Sequence, residues 1–94
     1  MIIFLFGFVG TGKTYFLRML SNNFIEFTYF DDVDVAKLLD VEHVVYRDAG
    51  SGSIVILAIA NKINPSLIHP IATRWAENFP IQYLQTLNTP LPKQ

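Results

Sequence analysis

Gly7-Phe8-Val9-Gly10-Thr11-Gly12-Lys13-Thr14 comes directly after Ile2-Ile3-Phe4-Leu5-Phe6, and the junction between these two stretches decides the fold. Five consecutive apolar residues ended by glycine read as a strand buried on both faces, the habit of a strand inside a parallel sheet. The octapeptide has glycine at its first and sixth positions, then a lysine and a hydroxyl residue. Glycines at such positions let main-chain N–H groups turn inward around phosphate oxygens, and a helix just beyond adds the positive end of its dipole. Beyond the loop, Phe16, Leu17 and Leu20 recur at helical spacing until Asn22-Asn23 ends the run. Strand, glycine loop and helix in that order is the context that a phosphate-cradling loop requires.

Farther along the chain, Ile25 to Phe30 is β-branched and aromatic and leads into Asp31, Asp32 and Asp34, so a second strand is expected to deliver carboxylates at its C-terminal tip. Val35, Leu38, Leu39, Glu42 and Tyr46 then trace a mostly apolar helical stripe, with Asp34 placed to cap it and Gly50 to end it. Ile54 to Ala60 is the most continuous strand signal in the chain, and Asn61 stands just past it. Asn64-Pro65 suits a helix start, but Pro70 would interrupt a helix begun there, so two short helical turns are expected. Phe79 to Leu87 reads as a last strand entered through Pro80, and the residues from Asn88 to Gln94 as a tail. Strands alternating with helices predict an α/β fold: one small three-layer parallel sheet of about four strands, spanning residues 1–94 as one domain.

Composition narrows the function. Half of the 94 residues are apolar, and 13 aromatics are enough to fill a modest core, which excludes a disordered chain. Net charge is −1 with no basic run, so no independent DNA binding is expected. The absence of cysteine excludes disulfides, thiolate metal sites and thiol catalysis. The apolar stretches Met1 to Gly10 and Ile54 to Ala60 are too short to span a bilayer, and the first carries no basic residue ahead of it as a signal peptide would. A cytoplasmic protein with no membrane contact is expected.

The octapeptide matches the P-loop pattern, and a fold of the P-loop NTPase type is the resulting expectation. Gly7, Gly10, Thr11 and Gly12 would shape the cradle, Lys13 would reach the terminal phosphates, and Thr14 would offer its hydroxyl to Mg²⁺. An apolar strand ending in acids suits the partner role: Asp31 is assigned to Mg²⁺ and Asp32 to orienting an attacking water. Acids here also suit a helix start, which is the role assigned to Asp34. Asn61 suits either a γ-phosphate or water contact or an ordinary turn. His43 and His69 stand alone without a second ligand at metal spacing, and Trp75 and Tyr83 are read as packing residues.

Taken together, the P-loop, Phe27-Thr28-Tyr29-Phe30-Asp31-Asp32-Val33-Asp34, the run Ile54 to Asn61 and Asn64 to Trp75 resemble an AAA+ ATPase core, and most closely the family of the bacterial replication initiator DnaA and its regulatory relative Hda. The resemblance covers nearly the whole chain and implies ATP or ADP as cofactor with Mg²⁺. It also implies a replication initiator or AAA+ neighbour as protein partner, Asn61 as the sensor-1 residue, and Arg74 as an arginine finger offered to a neighbouring subunit. Arg74 reads equally as a surface arginine of a short helix. Only 17 residues separate Lys13 from Asp31, whereas the family places a further strand and helix there, and no lid with a second sensor arginine is expected after the last strand. Nucleotide binding with negligible hydrolysis is therefore expected. Phe30-Asp31-Asp32-Val33-Asp34 also fits the F-x-D-x-D pattern of shikimate-kinase-like enzymes, in which Asp32 would serve Mg²⁺ and Asp34 a substrate hydroxyl. The chain resembles GTPases less, since Asn61-Lys62-Ile63-Asn64 carries asparagine where their guanine-reading motif has aspartate.

Overall fold

A computed structural model describes residues 1–7, 17, 18, 20–22 and 26–85. The four strands are β1 (Ile2–Phe6), β2 (Phe27–Val33), β3 (Ile54–Ile59) and β4 (Ile81–Gln85), in the sheet order β2-β3-β1-β4. Every pairing is parallel. β1 therefore lies inside the sheet, with Phe4 opposite Leu57 on one side and Tyr83 on the other. Its burial on both faces stems from the unbroken apolar run.

Side chains alternate between two cores. On one face Ile2, Phe4, Val55, Leu57 and Ile59 meet helices α1 (Val35–Gly50) and α2 (His69–Ala76). On the other, Ile3, Leu5, Ile56 and Ala58 meet Leu20, with Leu17 against them. Residues 17, 18 and 20–22 are helical, so helix covers both faces of the sheet.

Local chemistry explains most boundaries. Asp34 caps α1 by accepting the Lys37 N–H at 2.8 Å, and the helix runs to Gly50 as expected. Its buried stripe is Leu38, Val41, Val45 and Ala49, whereas Leu39 is 53% exposed. The spacing 38, 41, 45, 49 keeps one helical face on the sheet, and Leu39 is turned about 100° off it. Pro70 lies in the first turn of α2, where its missing N–H costs nothing, so it starts this helix instead of breaking it. A 3₁₀ turn, Pro65–Leu67, precedes it, capped by Asn64. Trp75 is fully buried and stacks on Phe4 at 5.8 Å, while Tyr83 stacks on the same ring at 5.7 Å and stays half exposed.

The second strand ends later than expected. It runs past Phe30 through Asp31 and Asp32, which stand at its C-terminal end as expected, because Val33 still pairs with Ile59 and its carbonyl accepts the Ala60 N–H at 2.9 Å. Ile25 and Leu87 lie outside the described residues.

Candidate functional site

The chain leaves β1 toward the β2 edge and leaves β3 toward the β4 edge, with the helical residues after β1 on one face and α2 on the other. The crevice between the C-terminal ends of β1 and β3 is thus a topological switch point, the place where open parallel sheets receive ligands. A cleft of about 170 Å³ lies there, lined by Phe6, Gly7, Ile59, Asn61, Pro65 and Gln85 among others. Gly7 has φ 148°, a conformation that side chains oppose, and it turns the chain out of β1 at the mouth of this cleft. Gly10, Thr11, Gly12, Lys13 and Thr14 lie outside the described residues.

Asn61 stands at this edge as expected, one residue beyond Ala60. Gln85 reaches the same cleft from β4 without having been singled out in the sequence. Sheet order alone puts it there: as the last described residue of the parallel strand next to β1, it shares the edge at which β1 ends.

The two acids at the end of β2 do not point to one place. Asp31 shares a sheet face with Tyr29 two residues earlier, on the side covered by the first helical residues. Burial first, and the Asp31 carboxylate second, push the Tyr29 phenol up to about 12. Asp32 instead borders a shallow hollow with Asp34, Lys37 and Asp40 over the first turns of α1. Mg²⁺ takes hard oxygen ligands and is commonly held by one or two carboxylates together with substrate phosphates. Asp31, a single exposed carboxylate, fits that pattern. Among the described residues no cluster of three or more His, Cys, Asp or Glu is placed to hold an ion alone.

Neither family models, curated proteins nor solved structures give a match to this chain.

Arg74 belongs to a different part of the molecule. It lies on α2 with its side chain half exposed and donates to the Glu42 carboxylate on α1. The Trp75 indole N–H donates to the same Glu42 oxygen at 2.6 Å. Trp75 first, and Arg74 after it, hold the Glu42 carboxyl below its usual range. Arg74, Glu42, His43 and Tyr46 line a broad hollow between α1 and α2, distinct from the cleft at the strand ends. At the opposite end of β2, Thr28 donates to Asp48 at 2.7 Å and so ties the strand to α1. Arg47 and Thr28 together hold the Asp48 carboxyl low.

Proposed function

We propose that this chain is an adenine-nucleotide-binding protein of the P-loop NTPase type, similar to DnaA and Hda, acting in replication initiation or its regulation. It would do so in the cytoplasm, through contact with an initiator or AAA+ neighbour and without gripping DNA itself. One observation carries this: the pattern from Gly7 to Thr14 begins where β1, an interior strand of an all-parallel sheet, opens at the switch-point crevice. The backbone of that loop and Lys13 would take the phosphates, and Thr14 and Asp31 would hold Mg²⁺, which neutralises charge on the phosphate oxygens. Asn61, which lines the same cleft, would contact a terminal phosphate or its water.

The sheet order suits both an AAA+ core and a shikimate-type kinase, since each places the third strand between the loop strand and the acidic strand. The position of Arg74 favours the first. Held by Glu42 on the outer helix layer, it faces outward and does not close over the strand ends as a kinase lid would. Engaged by Glu42, Arg74 would not serve a nucleotide on its own chain, and turnover by the isolated chain is expected to be negligible.

The test is titration of wild type and Lys13→Ala with ATP, ADP and GTP in the presence of Mg²⁺, with and without shikimate. Adenine-selective binding that Lys13→Ala abolishes is expected. Equal ATP affinity of the two proteins sinks the proposal, and shikimate-dependent turnover moves the assignment to a kinase.

A further inference from the structure

The sheet has β2 at one edge and β4 at the other, and among the described residues the two edges are built differently. β2 carries a surplus residue between Phe30 and Val33, which pair with Leu57 and Ile59, so three steps on β2 match two on β3. Asp32 lies in this bulge with φ 53°, and Asp31 and Asp32 are both exposed. A bulge and charged side chains are the devices by which an edge strand turns a further strand away. β4 has neither. Ile81-Gln82-Tyr83-Leu84-Gln85 is uncharged, holds no proline and keeps register with β1 over its whole length.

The direction of its free main-chain groups follows from one bond. The Ile2 N–H donates to the Pro80 carbonyl at 2.9 Å, and along a strand successive residues turn their main-chain groups to opposite sides. Pro80, Gln82 and Leu84 therefore serve β1, whereas Ile81, Tyr83 and Gln85 direct N–H and C=O outward from the sheet. Tyr83 is the middle of that outward row. It is 54% exposed even though its ring stacks on Phe4.

We infer that the β4 edge is a docking surface for a second copy of this chain, paired antiparallel about a two-fold axis at Tyr83. The outward row is its own complement: Tyr83 meets Tyr83 of the copy, Ile81 meets Gln85, and each such pair exchanges both main-chain bonds. The two rings come to lie directly opposite, a favourable cross-strand pair, and no like charges are brought together. A strongly acidic or basic segment would find no counter-charge on this strand. The pair is isologous and closes on itself, and the bulged, acidic β2 edge stops the doubled sheet from growing further. Pairing through so short a strand falls below the roughly 1,200 Å² of a stable interface, so the dimer is reversible and concentration-dependent. It requires no nucleotide and stands whether or not the function proposed above holds.

The experiment is sedimentation velocity on the full chain over a concentration series, for wild type, Tyr83→Phe, Tyr83→Lys and Tyr83→Glu, with circular dichroism to confirm that each is folded. Wild type and Tyr83→Phe are expected to move from 10.7 kDa toward twice that mass as concentration rises. Tyr83→Lys and Tyr83→Glu, with like charges opposed at the axis, should each associate about tenfold more weakly or worse, and an equimolar mixture of the two should recover association. In wild type, amide exchange followed by NMR should slow with concentration at Ile81, Tyr83 and Gln85, while Gln82 and Leu84, bonded to β1, are protected throughout. That measurement decides the matter if the charged variants fail to fold. A wild type that stays at 10.7 kDa up to about 1 mM overturns the inference. Outward amides protected equally at every concentration would show that another part of the chain covers the edge, and the inference is then wrong. So it is if folded Tyr83→Lys associates like wild type, or if the mixture recovers nothing, since residue 83 would then not face its own copy.

Discussion

Glu42 offers one carboxylate oxygen to two donors from another helix, and they are not of equal weight. The Trp75 indole is wholly buried, so removing its acceptor strands an N–H away from water, whereas the half-exposed Arg74 recovers solvent. Glu42→Ala is expected to cost about 1–3 kcal/mol by chemical denaturation, the usual range for an orphaned buried donor, and Arg74→Ala clearly less. The lowered carboxyl sets the pH dependence. Because its folded pKa lies below the unfolded one, the contribution is complete above the ordinary glutamate value of about 4.3 and is lost as pH falls from there through the folded value. Glu42→Gln should flatten that acid limb of the stability curve; an unchanged limb would show that the Trp75 and Arg74 contacts are not maintained in solution. None of this was visible in the sequence, where Glu42 reads as one more position on a helical stripe. Its partners lie 32 and 33 residues away and meet it only once both helices are laid on the same face.

Among the elements, α1 was the most legible and β2 the least. Asp34 and Gly50 are local signals and the helix keeps to them, whereas of the stripe read in the sequence only Leu38 is buried, the others in the core being Val41, Val45 and Ala49. Asp34→Ala is expected to lower stability by about 1 kcal/mol through loss of the bond to the Lys37 N–H, and Asp34→Ser to recover most of it. Thermal melts of the three proteins decide this, and an unaltered midpoint in Asp34→Ala would mean that water serves the helix end equally well. The end of β2 obeys a distant constraint. Whether Asp31 and Asp32 fall inside the strand depends on Val33 finding Ile59 on β3 and Ala60 just past it, more than 25 residues later in the chain. Local pattern therefore put the carboxylates in the right region and held no hint of the extra residue or of the left-handed turn that separates them. Leu39 failed for a related reason: hydrophobicity marked it for the stripe, but the sheet occupies only the face of Leu38 and Val41.

For the molecule as a whole, four parallel strands and helix on both faces were readable from the alternation of apolar or β-forming runs and periodic segments, because most breaks carry glycine, asparagine or proline and Asp34 marks the one between β2 and α1. The cleft at the strand ends was readable only in part. Gly7 and Asn61 close their strands and announce themselves, while Gln85 belongs to it by virtue of sheet order alone. That order also bears on how the chain comes into being. Of the four described strands β1 is made first yet pairs with β3 and β4, so Ile2-Ile3-Phe4-Leu5-Phe6 has no strand partner until residues 54–59 have been synthesised. At a translation rate of roughly 5–20 residues per second, that interval lasts on the order of 2–10 s. Through it the nascent chain presents an uncharged, strongly β-forming segment with nothing to pair with, the profile that invites chaperones or self-association. Ribosome-bound chains arrested near residue 45 should therefore aggregate or recruit a holdase when released, and chains arrested well beyond residue 85 should not. Serine at Ile3 and Leu5 should relieve the early hazard while forfeiting the finished sheet. Equal solubility of short and long released chains would show that the late arrival of β3 carries no penalty during synthesis.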